Sequence, residues 1–373
     1  MKKILFINDY VSGGGVEKVM SDLINHLPKN EYDITVGAMI KNDDYTKLYS
    51  NDIHFLKISS DFDNLINNTN IIAKIINKIF RKYCIKKQQK WVNNEYDIVV
   101  AFKEGDCMKW VSNLDKPKKL SWIHVDYSVF HWTGALFKNN KQLEIKCMEK
   151  FDKIICVSKG VKDGVNQVLG DISNLEVCYN PIDCEQIIRK ANENVEDLVK
   201  PKDRLLFVTV GRLTNQKGYD RLLEICCILN KENYNYELWI IGEGEDYNEL
   251  QSTIQKNKLE NVKLLGVRKN PYKYMKQADW FICSSYFEGF STVLQEATVI
   301  GIPILTTNCA GAKELLGNNE YGIIVDNDFE GLKNGMRDLL VKDDLLNYYR
   351  NKVIQRQGFI DLKLRVKKII DLF

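Results

Sequence analysis

The sequence predicts an α/β protein of two doubly wound, Rossmann-like domains facing each other across a cleft. Three observations lead there. Short apolar runs of strand type alternate with stretches of helical periodicity, and the alternation is worked through twice along the chain. No lengthy all-helical segment interrupts it before the C-terminal end. At 373 residues the chain also exceeds what one hydrophobic core organises, so two domains of roughly 170–190 residues are expected.

In the first half, Lys3–Asn8 reads as a strand, Asp9–Gly15 as a glycine-rich loop, and Val16–Leu27 as a helix with apolar Val16, Met20, Leu23, Ile24 and Leu27. The loop lacks the G-x-G-x-x-G dinucleotide fingerprint, but its adjacent glycines let a backbone approach a ligand closely. Ile34–Ala38, His54–Ile58, Asp97–Phe102, Lys119–Ile123, Lys153–Val157 and Glu176–Tyr179 are further strands. His124 closes one of them, at the carboxyl end where open parallel sheets bind ligands. Asn64–Val92 differs in character. Ile72, Ile75, Ile76, Ile79 and Tyr83 recur at helical spacing among basic residues, and no acidic residue occurs from Lys74 to Lys90. Two readings stand side by side: a basic amphipathic helix for an anionic membrane surface, or a core-packed helix with a solvated basic face.

In the second half, Glu185–Arg204 reads as a helix and linker. Leu205–Val210 is a buried strand that leads into Gly211-Arg212-Leu213, then Gln216-Lys217-Gly218 and a helix to about Leu229. Leu238–Ile241 precedes Gly242-Glu243-Gly244, and Val262–Leu265 precedes Gly266-Val267-Arg268. The most informative stretch is Trp280–Thr307. Trp280–Cys283 is a strand and Ser284–Phe290 a loop. Thr292 and Gln295 form a capping-box signature for a helix from about Val293, and after Gly301 the strand Pro303–Thr307 begins. Glu288 then lies in a loop at the carboxyl end of a strand. Glu296 lies about one turn into the next helix, with seven residues between the two. The backbone N–H groups of Ser291, Thr292, Val293 and Leu294 fall between them and suit a phosphate. Taken singly, these glutamates, Arg212 and Lys217 would be solvent-facing residues. The alternative, an anion site flanked by two hydroxyl-binding carboxylates, would describe a nucleotide sugar. Gly322–Val325 is the last strand, and helices occupy Phe329 to Phe373.

Composition narrows the function classes. A net charge of +3 is too small to argue for nucleic acid, and no apolar run approaches the roughly 20 residues of a membrane span. The N-terminal apolar run is too short for a signal peptide. Ten cysteines without a C-x-x-C pair read as reduced core residues, so a cytoplasmic location is expected, at the inner face of the cell membrane if the basic helix meets lipid.

Two segments carry a family resemblance. EGFSTVLQEATVIGIPILTT, from Glu288, resembles the Glu, seven residues, Glu motif of retaining glycosyltransferases of family 4, and GRLTNQKGYDRLL, from Gly211, resembles that family's second hallmark. The resemblance spans essentially the whole chain and implies the GT-B fold. Residues 1–182 would be the acceptor-binding domain, with the helix at about 357–373 packing back on it, and 183–356 the nucleotide-sugar domain. It implies that Glu288 binds hydroxyls of the donor hexose and Glu296 the ribose, while Arg212 and Lys217 hold the diphosphate. Gly14 and Gly15 would lie at the cleft, His124 beside the reacting sugar with Asp126 supporting the acceptor, and Val267 near the nucleotide base. The donor is expected to be a UDP-sugar and the acceptor a glycan or lipid-linked saccharide of surface polysaccharide synthesis, and the same resemblance favours the membrane reading of the basic helix. No metal is expected, because Arg212 and Lys217 already supply positive charge. The D-x-D triplets Asp61-Phe62-Asp63 and Asp326-Asn327-Asp328 are read as chance occurrences. A nucleotide-sugar 2-epimerase shares the architecture but lacks the two-glutamate segment. A non-catalytic subunit of a heteromeric transferase would be expected to have lost motif residues that are all present here.

Overall fold

Among the described residues, every paired strand runs parallel to its neighbour, in two separate sheets. The computed structural model describes residues 1–10, 14–40, 47–59 and 71–373. The triplet Asp61-Phe62-Asp63, residues 11–13 of the glycine-rich loop and residues 64–70 of the basic stretch lie outside them.

The first sheet contains β1 (Lys2–Tyr10), β2 (Tyr32–Ile40), β3 (His54–Lys57), β4 (Ile98–Ala101), β5 (Lys118–Ile123), β6 (Lys153–Cys156) and β7 (Leu175–Val177), in spatial order β3-β2-β1-β4-β5-β6-β7. Its centre is apolar on both faces: Ile4, Leu5, Phe6 and Ile7 of β1 and Val99 to Ala101 of β4 are fully buried. That is the pattern of a parallel sheet covered by helices on each side. The second sheet contains β8 (Leu205–Val210), β9 (Tyr236–Ile241), β10 (Val262–Leu264), β11 (Trp280–Cys283), β12 (Ile304–Thr307) and β13 (Ile323–Val325), in order β10-β9-β8-β11-β12-β13. Its core gathers Phe207, Leu222, Leu238, Trp280, Ile282 and Leu305.

Each order reverses direction once. The chain winds outward from β1 through β2 to β3 and then restarts at β4 beside β1, and it winds from β8 through β10 and restarts at β11 beside β8. Where the winding reverses, the connections leave in opposite directions and open a crevice at the carboxyl ends of the two central strands. The crevices therefore lie after β1 and β4 in one sheet and after β8 and β11 in the other.

The chain divides into two compact units, Met1–Asn180 with Lys363–Phe373, and Pro181–Leu362. The first edge lies two residues before the expected 182/183. The return to the first unit comes at Lys363, later than 357, for a local reason. Gln357 Nε2 donates to Val299 O at 2.9 Å, and Cys184 Sγ donates to Ile360 O at 3.2 Å, so those residues pack within the second unit. Beyond them Arg365 donates to Asn180 O at 2.6 Å, and the Phe373 ring meets Phe6 and Tyr32 edge-on.

The helix Ile71–Glu95 forms, and its second half is fixed by side chains: Gln88 bonds Ser59 N and Lys57 O, Gln89 bonds Trp110 O, and Val92 is fully buried. The core-packed reading requires Ile79 and Tyr83 inside, yet they are 63% and 61% exposed, as is Phe80 at 65%. Ile72, Ile75 and Ile76 lie outside the described side chains.

Candidate functional site

The second crevice is built by two loops. One follows β8 and carries Arg212 and Lys217, and the other follows β11 and carries Glu288. They are tied together along their length. Ser284 Oγ donates to Lys217 O at 2.8 Å, Tyr286 N donates to Gln216 O at 2.8 Å, and Gln216 Nε2 donates to Phe287 O at 3.0 Å. Gly218 has φ +64°, and a Cβ there would stand 2.2 Å from Ser284 O, so only glycine allows the loops to meet. The G-E-G segment after β9 braces the same corner from the other side. Leu213 N donates to Glu243 O at 2.8 Å, and a Cβ on Gly242 would collide with Gly211 O at 1.9 Å.

This scaffold brings Lys217 and Glu288 together. Lys217 Nζ lies 2.6 Å from Glu288 Oε1, with side chains only 18% and 10% exposed. Ser285 Oγ donates to the same carboxylate oxygen at 2.7 Å. Burial works against the Lys217 charge, but the Glu288 carboxylate beside it more than compensates and holds the ammonium above its ordinary range. An ammonium has three donors, so this pairing leaves capacity for a ligand anion. Arg212 is exposed on the loop after β8, and among the described residues its guanidinium makes no ion pair.

The helix Thr292–Ile300 starts one residue before the expected Val293, and its N-cap is Ser291 rather than Thr292. The capping box does not form. Gln295 Nε2 turns back to Ser291 O at 3.4 Å, and Ser291 Oγ is buried with no hydrogen-bond partner among the described residues. Beside it, the N–H groups of Thr292, Val293 and Leu294 have no acceptor within the helix. An orphaned hydroxyl and a helix start thus adjoin the Lys217–Glu288 corner in sequence. Glu296, on the same helix, is 5% exposed and accepts from Tyr272 OH at 2.9 Å, so it is not a surface residue. Val267 is exposed on the loop after β10.

One residue absent from the sequence reading organises this corner. Arg221, 5% exposed, donates to Ser284 O at 2.6 and 3.0 Å, to Ser285 O at 2.8 Å and to Asn327 Oδ1 at 2.8 Å, and it lies 4.0 Å from the Tyr286 ring centroid. Burial pushes its pKa down from the ordinary value. Asn327 in turn donates to Tyr286 O at 2.6 Å. Its neighbour Asp328 caps the helix Phe329–Val341 through Gly331 N at 2.7 Å. The triplet Asp326-Asn327-Asp328 is therefore engaged structurally through two of its three side chains.

On the first unit, β1 runs on through Asp9 to Tyr10, past the expected Asn8. Asp9 is buried and accepts from Cys107 N at 2.7 Å, which ties the end of β1 to the chain after β4. Gly14 caps the helix Gly15–Asn25 in extended conformation, φ −85°, so neither glycine uses left-handed backbone there. His124 follows β5. Its Nε2 faces Phe102 O at 2.9 Å, which requires the proton on Nε2 and leaves Nδ1 as an acceptor. Burial lowers its pKa to about 4, so it is neutral. Its backbone N donates at 2.9 Å to Glu104, a fully buried carboxylate that Trp132 Nε1 also approaches at 3.3 Å and whose pKa burial raises. Asp126 is occupied locally, accepting from Ser128 N and Oγ.

Comparisons with known proteins bear on the family and the fold. The model of glycosyltransferase family 4 matches residues 13–186, and that of glycosyl transferases group 1 matches residues 190–356. A Campylobacter jejuni protein named N-acetylgalactosamine-N,N'-diacetylbacillosaminyl-diphospho-undecaprenol 4-alpha-N-acetylgalactosaminyltransferase is 30% identical over 97% of this chain and 96% of its own. The lipopolysaccharide 1,6-galactosyltransferase of Escherichia coli K12 is 26% identical over 82% of this chain and 80% of its own. Among solved structures, Anabaena HepE in complex with UDP and glucose aligns over 100% of this chain and 99% of its own, with a TM-score of 0.75 at 18% identity. The fold is accordingly GT-B.

Proposed function

Because the chain belongs to glycosyltransferase family 4, we propose that it is a retaining enzyme. It would move a hexose or N-acetylhexosamine from a UDP-sugar to a glycan or lipid-linked saccharide in surface polysaccharide synthesis. The observation that carries the reading is the pair of buried Glu288 with half-buried Lys217 at the reversal point of the second sheet. Lys217, exposed Arg212 and the helix start at Ser291, Thr292 and Val293 receive the diphosphate. Glu288 accepts from hydroxyls of the hexose, Glu296 from the ribose, and backbone near Val267 meets the base. UDP is favoured by its presence in the HepE structure. A saccharide acceptor is favoured by the names of the relatives, two of which act on diphospho-undecaprenol-linked sugars.

The second unit is thus the donor domain and the first the acceptor domain. There Gly14 and Gly15 supply backbone, and neutral His124 offers Nδ1 to a sugar hydroxyl. As the bond from C1 to the diphosphate breaks, negative charge gathers on the leaving oxygen, where fixed cations stabilise it. The acceptor oxygen attacks C1 from the same face, and its proton passes to the leaving phosphate oxygen, so the anomeric configuration is retained without a side-chain base. The fixed cations supply the charge that a metal would otherwise bring, and the reaction is proposed to be metal-independent. The exposed Ile79, Phe80 and Tyr83 on the basic helix would place the protein at an anionic membrane surface.

The test is slow donor hydrolysis across a panel of UDP- and GDP-sugars, without acceptor and with a chelator present. UDP release from one donor, lost in Glu288→Gln, supports the reading. Release seen only with added manganese, or release unaffected by Glu288→Gln, contradicts it.

A further inference from the structure

We infer that the first unit carries a second binding site, for an anionic amphiphile: a cup of about 340 Å³ between the helices Asp106–Val111 and Lys141–Met148, lined by four lysines and by apolar Leu136, Phe137 and Leu143. The lysines are Lys109, Lys138, Lys146 and Lys150, all exposed. Among the described residues no carboxylate lines the cup, and none of the four lysines makes an ion pair. The nearby Glu144 does not neutralise them. It is 1% exposed and already accepts from His131 Nε2 at 2.8 Å and Thr133 Oγ1 at 2.7 Å.

The polar contacts that do exist leave the charge available. Lys109 Nζ reaches Leu136 O only at 3.4 Å, and it stands 5.9 Å from the Phe137 ring centroid. The positive charge is therefore gathered and unspent, while Phe137 and the half-exposed Leu143 give the cup an apolar lining. A bare inorganic anion would use the lysines and leave the apolar lining wet. A phosphate ester with a short hydrocarbon arm uses both. The lipid headgroup and a soluble phosphate ester share this chemistry, and monomeric short-chain lipid separates them from bulk membrane attraction. The site is distinct from the helix Ile71–Glu95 and does not depend on the transferase reading.

Calorimetric titration of the full chain with dihexanoyl phosphatidylglycerol below its micelle concentration tests the inference, with dihexanoyl phosphatidylcholine and inorganic phosphate as the other arms. The phosphatidylglycerol should bind at least tenfold more tightly than inorganic phosphate, since each methylene buried against the apolar lining is worth about fourfold. It should also bind at least tenfold more tightly than the zwitterionic lipid. Lys109→Gln/Lys146→Gln should weaken it about tenfold, at up to about fivefold for each exposed ion pair. Leu143→Ser should weaken it a few-fold. Lys138→Gln/Lys150→Gln carries the same prediction should the first pair of substitutions impair folding. Equal affinity for phosphate and for the lipid, affinity indifferent to both lysine pairs, or no binding at millimolar lipid would each overturn the site.

Discussion

Replacing Lys217 with methionine separates what this residue does for the fold from what it does for the reaction. The substitution removes an ammonium 2.6 Å from Glu288, in a pair whose side chains are 18% and 10% exposed. Breaking a buried pair from one side leaves a desolvated charge and costs about 3–5 kcal/mol. Glu288 keeps the Ser285 hydroxyl, which places the expected loss near the low end, about 3 kcal/mol. Lys217→Met/Glu288→Gln removes both charges, so most of that stability should return. Turnover should not return: either variant lacks the cation assigned to the leaving diphosphate, and donor hydrolysis should fall by about 10²–10³. The sign with pH also follows. Glu288 raises the Lys217 pKa above 10.5, so the lysine's share of stability is fully present below 10.5 and disappears only as pH climbs through the higher folded value. The stability gap between wild type and Lys217→Met should therefore be constant between about pH 6 and 9. Urea unfolding and nucleotide release measure the two effects. A single variant within about 1 kcal/mol of wild type, the range of an exposed pair, would refute the burial argument. Hydrolysis within a few-fold of wild type would refute the assignment to the diphosphate.

Arg221→Met removes a fork that holds two carbonyls of the Glu288 loop. It should cost about 3 kcal/mol by urea unfolding, on the scale of one or two charged hydrogen bonds. Turnover should drop by about 10²-fold as the loop loosens, and Arg221→Lys should recover only part of either, because an ammonium cannot span both carbonyls as the planar guanidinium does. Unchanged hydrolysis in Arg221→Met would show that the loop keeps its place without it. His124 should stay neutral, with its proton on Nε2, down to about pH 5, as read by ¹⁵N chemical shifts of the imidazole. Because its folded pKa lies below 6.5, its contribution to stability is present above 6.5 and is lost as pH falls towards 4. Titration of His124 near 6.5 would contradict its burial.

Much of this architecture is legible in the sequence because parallel strands buried on both faces write themselves as apolar runs. Leu205–Val210 and Trp280–Cys283 have the same bounds in sequence and structure. Strand edges are less legible, because polar residues extend strands when tertiary partners exist. Asp9 prolongs β1 by accepting from Cys107 N, and β9 opens two residues early with Tyr236 and Glu237 buried. The capping-box pattern at Thr292 misleads for a different reason: Ser291 takes the cap position, and Gln295 bonds a backbone oxygen. The motif glutamates could be located from sequence, but the pairing of Lys217 with Glu288 could not, since 71 residues separate them. Arg221 left a signal that was readable in principle. It stands four and eight residues before Ile225 and Leu229, on the buried stripe of the helix Tyr219–Lys231, where a charge calls for an explanation. Glu104 gave a weaker one, as a carboxylate three residues past the apolar strand β4.

We propose that the corner formed by Lys217, Glu288 and the helix start at Ser291 receives the donor diphosphate. Calorimetric titration of UDP into the wild type and into the charge-balanced Lys217→Met/Glu288→Gln variant addresses it most directly. UDP should bind the wild type, and the variant, though folded, should lose at least tenfold in affinity, on the scale of a hydrogen bond to a charged group. UDP binding that is equal in the two proteins would contradict it.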